Sequence, residues 1–422
     1  MSCWPVVRRA LVPLIGLSAL LASACATTTG PPISRSELPA SAHPSRESPA
    51  EPGADPGDAE ANPERWLDEA EAALEQARPA RAATLFARYL GRNPAGSDAT
   101  PQLARAYPGL ARAHEQLGDY EAAIRAYDGF LAHLPDDPDA HRMLARRGAC
   151  EAEIEQWERS ASSYAQVLEL GGAALIPSQR VEALARRGFA LFQLEQFDEA
   201  DAVFVEANGI YESAISDGRE RFSDTYFVGL ARFYRAAILH LEFRAVRIRL
   251  PEAQMSKDFE RKLELLEQAQ DAYNEVIRVR HIYWVSAAGY QLGSLFGEFY
   301  DAIMHAPAPD WLDESQRRVY YEELEEQLRP VVDKAVWVFE KNLETARKFG
   351  YESEFIERSE AQLGHMQAVL LGRGDSGAEP AKPVPRLAPH EARGEIDPEA
   401  AAAFEQLPAV ERKLFVPMPT TL

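Results

Sequence analysis

The sequence predicts an all-α protein, an α-solenoid of helical hairpins in a right-handed superhelix, between a disordered N-terminal linker and a disordered C-terminal tail. The main observation is a spacing: a small residue, an aromatic residue nine positions on, a small residue three further on and an aromatic residue four after that. The spacing occurs at Ala111, Tyr120, Ala123, Tyr127, then Gly148, Trp157, Ser160, Tyr164, then Gly188, Phe197, Ala200, Phe204. A period of roughly 34 to 40 residues is typical of stacked hairpins, because each hairpin needs a neighbour to bury its apolar face.

Residues 1–24 predict a bacterial secretory signal peptide. Arg8 and Arg9 precede an apolar stretch at residues 10–21, and small residues follow up to Cys25. About a dozen apolar residues rise only about 18 Å as a helix, short of the roughly 30 Å hydrocarbon core of a bilayer. We therefore favour a signal peptide over a permanent membrane span.

The cysteine after this segment, Cys25, indicates how the chain is attached to a membrane. Residues 21–25, LASAC, resemble the lipobox of bacterial lipoproteins, whose cysteine is acylated and becomes the new N-terminus. The resemblance implies lipidation at Cys25 and, because no Asp follows it, an outer-membrane location facing the periplasm. Acyl chains worth about 0.8 kcal/mol per buried methylene would make this anchor effectively permanent. Ala22 departs from the Leu that the family prefers, and ordinary cleavage after Ala24 is the alternative.

Residues 25–62 predict a lipid-anchored, disordered linker. They are rich in Pro, Ser, Ala, Gly and Glu and contain scarcely any large apolar residue. Such a composition cannot bury enough surface to offset the entropy of ordering the chain. We expect this linker to let the folded part stand away from the membrane.

Ordered structure is predicted from Pro63 onward. Four hairpins are expected within residues 63–216, at about 63–96, 104–137, 141–174 and 181–214. In the second, Gly118 and Asp119 interrupt the helical period and Pro135 ends the second helix. In the first, Pro79 stands at the turn where the others have an aromatic residue.

These hairpins resemble the tetratricopeptide repeat family, whose motif places aromatic and small residues at fixed positions of a helical pair. The matches are Trp66 and Tyr107 at the fourth position, Gly148 and Gly188 at the eighth, Tyr120, Trp157 and Phe197 at the seventeenth, and Ala123 and Ala200 at the twentieth. His114, Phe130 and Ser160 depart from the motif. The resemblance covers about 150 residues and implies a protein-binding solenoid.

Residues 217–371 predict an irregular continuation of the same architecture. Apolar residues recur at intervals of three and four, which indicates helices at 224–249, 257–279, 284–304, 313–349 and 352–371. Pro251 and the prolines of residues 306–309 separate these helices. We expect longer helices here than in the N-terminal half.

Residues 372–422 predict a tail rich in Pro and Ala. A short helix at 398–407, capped by Asp397, is the one regular element expected. Residues 414–418 are apolar in an otherwise polar tail. They either dock on the solenoid or form a recognition segment for another protein.

Composition and motifs argue against several function classes. The net charge of −21, which becomes more negative once Arg8 and Arg9 are removed, argues against binding to nucleic acid or anionic headgroups. The histidines are scattered, and no phosphate-binding glycine loop or nucleophile elbow occurs. Only Cys25 and Cys150 would remain after signal removal, so no disulfide framework forms, and Cys150 is expected to be buried. We expect no catalytic, cofactor or metal site and no small-molecule substrate.

A candidate protein-binding groove follows from the resemblance. In the repeat family, four positions of each hairpin line the concave surface, and they correspond here to Arg105, Arg112, Glu115, Arg142, Phe189 and Phe192. Phe189 and Phe192 form an apolar platform in that interpretation. The equally weighted alternative is that they fill the space against the next hairpin.

A second set of aromatic residues lies around one helix of the C-terminal half. Its members are Tyr283, Trp284, Tyr290, Phe299, Tyr300 and Trp311. Aromatic residues at helical spacing belong to a core more often than to an interface, so a core is predicted. The proline-rich loop 306–309 is expected to be exposed.

The sequence favours a non-catalytic scaffold whose partners are other envelope proteins. Residues 284–303, WVSAAGYQLGSLFGEFYDAI, are similar to envelope repeat lipoproteins of myxobacteria and their relatives, some of which serve gliding motility or pilus assembly. One alternative is a component of outer-membrane protein assembly. Another is a cell-wall glycan-cleaving enzyme with a glutamate as general acid.

Overall fold

Tandem antiparallel helices make up the part of the chain that the computed structural model describes, residues 63–92, 100–372 and 394–405. These residues belong to one unit of the chain, Ala61–Leu422. The predicted signal peptide, Cys25, the linker 25–62 and the apolar residues 414–418 lie outside the described residues. The all-α solenoid predicted from the sequence is confirmed for the described part.

Fourteen α-helices occur in the described ranges. They are α1 (Pro63–Glu75), α2 (Pro79–Arg92), α3 (Thr100–Gln116), α4 (Tyr120–His133), α5 (Ala140–Glu153), α6 (Trp157–Gly171), α7 (Pro177–Gln193), α8 (Phe197–Ser216), α9 (Tyr226–Ala245), α10 (Glu252–Arg278), α11 (Ile282–Met304), α12 (Glu314–Phe349), α13 (Glu354–Leu370) and α14 (Pro398–Glu405). From α1 to α13 each helix packs on the next in the chain, and α1 and α7 also pack on α3 and α9. That pattern is typical of stacked hairpins.

The small residues of the recurring spacing give the two helices of a hairpin their close approach. Gly148 lies on α5 against Tyr164 of α6, and a Cβ atom added to it would lie 3.0 Å from the ring. Gly188 of α7 lies likewise against Phe204 of α8, and a Cβ atom added to it would lie 2.4 Å from that ring. The spacing therefore arises because the last aromatic residue of each set, on the second helix, packs over the first small residue of the set, on the first helix.

One kind of turn joins the two helices of each N-terminal hairpin. Each turn has one residue with φ between 54° and 73°, namely Ala77, Gly118, Glu155 and Glu195. The next N–H donates to a carbonyl five residues back, as from Asp119 to His114 at 2.9 Å. This Schellman arrangement satisfies the last carbonyls of the first helix. Three of the four turns form it without glycine.

The C-terminal half has the longer helices that the sequence predicts, with α10, α11 and α12 spanning 27, 23 and 36 residues. Helix α11 is buried along nearly its whole length, because it packs on α9, α10, α12 and α13. A helix that is apolar all round requires such complete cover. One continuous hydrophobic core links α6 through α14.

The aromatic residues around α11 are confirmed as core. Tyr283, Trp284, Tyr290, Phe299 and Tyr300 are buried. Trp311 is different: its side chain is 49% exposed, and its Nε1 donates to Glu252 at 2.7 Å. The expectation of an exposed loop at 306–309 is wrong for Ala306 and Pro309, which are buried, and right for Pro307. Ala306 is held because its carbonyl accepts from the Tyr321 hydroxyl at 3.3 Å.

The C-terminal segment, residues 394–405, docks on the solenoid. Helix α14 begins at Pro398, and the Asp397 carboxylate caps it by accepting from the Ala400 N–H at 2.7 Å. The helix packs on α10 and α12. Before it, an isolated antiparallel bridge pairs Glu395 with His281.

Candidate protein-binding surfaces

An arginine-lined groove lies between α3, α4 and α5. Its cavity has a volume of about 500 Å³ and contains two of the predicted groove residues, Arg112 and Arg142. The lining comprises Ala104, Pro108, Arg112, Tyr127, Phe130, Asp137, Asp139, Arg142, Met143 and Arg146. Tyr127 and Phe130 are buried and form an apolar floor, whereas the three arginines are exposed. The groove therefore combines an apolar floor with a charged rim.

The three arginines differ in how far they are neutralised. Arg142 pairs with Asp139 at 2.9 Å, and Arg146 forms an ion pair with Glu115. Arg112 has no ion-pair partner among the residues that the structure describes. Arg112 is thus the guanidinium with the most capacity to bind an added carboxylate.

Glu115, a predicted groove residue, lies mostly beneath this rim. Its carboxylate accepts from the Tyr127 hydroxyl at 2.8 Å and from the Cys150 thiol at 3.3 Å, and it pairs with Arg146. Burial and the nearby Glu115 charge raise the pKa of the Cys150 thiol, which stays protonated at neutral pH. Cys150 is buried, as the sequence predicts. Glu115 therefore positions Arg146.

Arg105 connects two hairpins. It reaches from α3 to α1, where its guanidinium pairs with Asp68 and Glu71, both at 2.7 Å. These are exposed ion pairs, which typically contribute about 0–1 kcal/mol each. Since both carboxylates already engage Arg105, its contact with a partner protein stays a prediction.

The interpretation of Phe189 and Phe192 as an exposed platform is wrong. Their side chains are 2% and 8% exposed. Each ring packs against Tyr234 of α9 with ring centres 4.9 Å apart. Because α7 packs directly on α9, these rings fill the space against the next hairpin, which was the alternative.

A buried polar network in the C-terminal half was not predicted from the sequence. Glu298 of α11 accepts two hydrogen bonds from Arg244 of α9, at 2.7 and 2.6 Å, and contacts His240 Nε2 at 3.2 Å. The Tyr273 hydroxyl lies 3.1 Å from His240 Nδ1. A neutral imidazole with its proton on Nε2 satisfies both contacts. Burial lowers the pKa of His240, which favours that neutral form.

Burial alone would raise the pKa of Glu298, but the hydrogen bonds from His240 and Arg244 outweigh it and lower this pKa to about 2. Nearby, burial lowers the pKa of Lys262 to about 8, and its ammonium donates to the carbonyls of Phe243 and Val246 at 2.8 and 3.0 Å. Lys262 thus binds the last carbonyls of α9. The network joins α9, α10 and α11.

Two further observations concern metal ions and membrane-spanning helices. Among the described residues, no group of three or more His, Cys, Asp or Glu side chains is arranged to hold a metal ion. None of the helices in the described ranges combines the length and apolarity needed to cross a membrane.

The comparison with protein families matches residues 104–147, which contain every residue that lines the groove, to the family described as tetratricopeptide repeat. These residues are similar to one tetratricopeptide repeat. No curated protein matches it. The match supports a tetratricopeptide protein, a fold that generally serves protein–protein interaction.

Solved structures with related repeats are similar to the chain at low identity. A kinesin light chain repeat protein of Podosopora anserina is 14% identical with a TM-score of 0.34, covering 51% of this chain and 96% of that one. A tetratricopeptide repeat protein from Parabacteroides merdae is 12% identical with a TM-score of 0.34, covering 71% and 98%. Yeast Tom70 is 11% identical with a TM-score of 0.23, covering 74% and 72%. Likenesses at this level say nothing about the function of this chain.

Proposed function

We propose that this chain is a non-catalytic protein–protein interaction scaffold, anchored to the outer membrane through Cys25, facing the periplasm and belonging to an envelope complex. The observation that carries the scaffold role is the groove between α3, α4 and α5. It offers an apolar floor and a charged rim, the combination that binding sites for protein segments use. The signal-like residues 1–24 support the location.

The chemistry of the groove favours an acidic segment of the partner. The groove is lined by Arg112, Arg142 and Arg146 together with Asp137 and Asp139. Arg142 pairs with Asp139 and Arg146 pairs with Glu115, so Arg112 is the arginine of this lining that is left to bind a carboxylate of the partner. A carboxylate that contacts a guanidinium in two places gains both energy and orientation. We expect a partner carboxylate to bind Arg112, with apolar side chains next to it on the floor of Tyr127 and Phe130.

Recovery of partners from membranes tests the scaffold role. The lipidated chain and its Arg112→Glu variant are isolated from detergent extracts, and co-purifying proteins are identified by mass spectrometry. Arg125→Glu is the matched control, because Arg125 is an exposed arginine of α4 outside the groove lining. If proteins that co-purify with the unaltered chain are lost with Arg112→Glu and kept with Arg125→Glu, the result supports the groove as their binding site. Equal recovery with both variants contradicts it.

The identity of the recovered proteins separates the processes. Components of gliding motility or pilus assembly support a role in those complexes. Recovery of the β-barrel assembly core alone contradicts that role and favours the second candidate, outer-membrane protein assembly.

The anchor has a test of its own. Cys25→Ala should move the protein from the membrane fraction to the soluble periplasm, because the acyl chains provide the membrane affinity. Continued retention in the membrane fraction contradicts anchoring through Cys25 alone.

The glycan-cleaving hypothesis requires a glutamate of raised pKa beside a cleft. Burial raises the pKa of Glu151, but its carboxylate accepts from the Ser163 hydroxyl at 2.6 Å and pairs with Arg159 at 3.1 Å. Glu151 lines neither the groove nor the cavity of about 530 Å³ beside α7 and α8. These contacts give Glu151 a structural role, so we favour the scaffold.

A further inference from the structure

The C-terminal segment, residues 394–405, occupies a surface that recognises it as a peptide. Its extended part pairs with the turn between α10 and α11: Ile282 N–H donates to the Gly394 carbonyl at 2.7 Å, and Ile396 N–H donates to the Arg280 carbonyl at 2.8 Å. Such pairing of an extended peptide with exposed backbone groups is a recurrent mode of peptide recognition.

Apolar and charged side chains complete this recognition. Ile396 and Phe404 are 1% and 0% exposed and belong to the continuous core of the C-terminal half. Two ion pairs flank Ile396: Glu395 contacts Arg280, and Asp397 contacts Lys348. The docking surface, which we define as residues 280–282, Lys348 and the faces of α10 and α12 that contact α14, therefore matches an acidic segment with two apolar anchors.

The segment depends on this surface for its helical structure, whereas the covalent link only raises its concentration near the surface. Helix α14 spans only eight residues, and isolated helices of that length are unstable in water. A ligand joined to its site through the same chain has an effective concentration on the order of millimolar. A segment of weak intrinsic affinity therefore stays bound to the surface of its own chain, and a segment of another protein can still displace it.

We propose that this docking surface is a peptide-binding site that the chain's own C-terminal segment occupies, and that a segment of the same chemistry from a partner protein displaces it. That partner segment is acidic and extended at an Ile, then helical after an Asp-Pro pair, with a Phe eight residues after the Ile. The proposal rests on the scaffold function and adds a second, self-covered binding site to it.

A labelled peptide tests the site without any envelope partner. The probe is a fluorescein-labelled peptide of residues 394–405, and its binding to the full-length chain is followed by fluorescence polarisation. The full-length double variant Ile396→Asp/Phe404→Asp should bind this peptide at least tenfold more tightly than the unaltered chain, because its own segment no longer competes. A peptide carrying the same two substitutions should not bind.

A disulfide provides the reciprocal test. A Cβ atom placed on Gly394 would lie 3.6 Å from the Cβ of Ile282, within the range of disulfide geometry. The pair Ile282→Cys/Gly394→Cys should therefore exclude the peptide when oxidised and, when reduced, bind it with the affinity of the unaltered chain. The single variant Ile282→Cys is the control and should respond to neither condition.

Several results would overturn the proposal. They are equal affinity of the double variant and the unaltered chain, binding of the substituted peptide, and concentration-dependent dimerisation in sedimentation, which would assign the segment to a second copy. If the double variant does not fold, Asp397→Lys in the full chain releases the segment by repulsion from Lys348 and is measured in the same way. Failure of the Arg112 experiment with success of the peptide experiment would contradict the groove and leave this site standing.

Discussion

Single residues decide how the hairpin turns form. Glu155 and Glu195 adopt φ of 59° and 58°, a region in which a side chain costs about 1–2 kcal/mol and glycine costs little. Only the second hairpin has glycine there, Gly118. The sequence indicated a left-handed residue in that turn alone, because alanine and glutamate carry no signal for a left-handed backbone.

Replacing Glu195 by glycine should therefore stabilise the protein. The relief of backbone strain exceeds the added entropy of the unfolded chain, which is about 0.4–1 kcal/mol, and leaves a gain of about 0.5–1 kcal/mol. Urea unfolding of Glu195→Gly measures it. Gly118→Ala is the reciprocal variant and should lose about 1 kcal/mol; two changes of the same sign would contradict the explanation.

The glycines under aromatic rings should tolerate no side chain. Gly188→Val places its Cβ 2.4 Å from Phe204 and should destabilise the protein by about 1–3 kcal/mol through overpacking. Gly209→Ala on α8 is the control, since nothing lies within 4 Å of its new Cβ atom. Because alanine favours a helix by about 1 kcal/mol over glycine, that variant should raise the melting temperature. A lower melting temperature for both variants would contradict the role of the ring contact.

At the scale of elements, helix positions could be predicted from the sequence, but the packing partners of the helices could not. The apolar period and the breaks at Pro251 and residues 306–309 located both ends of α11 and α12 within two residues and the start of α10 within five. The network of His240 and Glu298 joins residues 58 apart in the chain, and its existence depends on which faces of α9 and α11 meet. The burial of Phe189 depends on α9 in the same way. Outside the regular repeats, no sequence motif determines which helix faces pack against each other.

Two carboxylates on α11 should respond to pH with opposite signs. The folded-state pKa of Glu298 is lowered to about 2 from 4.5, so its contribution to stability is complete above about pH 4.5 and is lost as the pH falls towards 2. Burial raises the pKa of Asp301 to about 6 from 3.8, and its Oδ1 has no hydrogen-bond partner. Its ionised form opposes folding above pH 6, and protonation between pH 6 and 3.8 removes that penalty.

Differences in unfolding free energy isolate each group. Relative to Glu298→Gln, the unaltered chain should lose stability as the pH falls from 4.5 to 2. Relative to Asp301→Asn, it should gain stability as the pH falls from 6 to 3.8. Urea titrations across these ranges measure both slopes, and slopes of the same sign would refute the assignment.

For the whole molecule, the described residues divide into a region of small separate cores and a region with one large core. Trp66 and Phe86 belong to a cluster confined to α1–α3, whereas Trp284 belongs to the core that extends from α6 to α14. In repeat proteins, stability is a sum of local terms between neighbours, so different regions open independently. The large core begins in α6, within the third predicted hairpin, so it starts before the change from regular to irregular repeats at residue 217.

Amide hydrogen exchange should follow this division. Amides of α1 and α2 should exchange faster than those of α11, because α11 packs on four other helices and α1 packs on two. Mass spectrometry of peptic fragments after timed exchange measures the order. Equal protection of the two regions would show that the described residues unfold as a single unit.

The return of the C-terminal segment onto α10 and α12 has a consequence for how such a protein can change in length. Among the described residues, a hairpin inserted before Pro63 would pack on α1, through an interface like that of α1 and α2 with α3. A hairpin added after α13 would also have to accommodate the segment that contacts Arg280 and Lys348. Repeat gain and loss during evolution should therefore be tolerated at the N-terminal end of the solenoid and resisted at the C-terminal end.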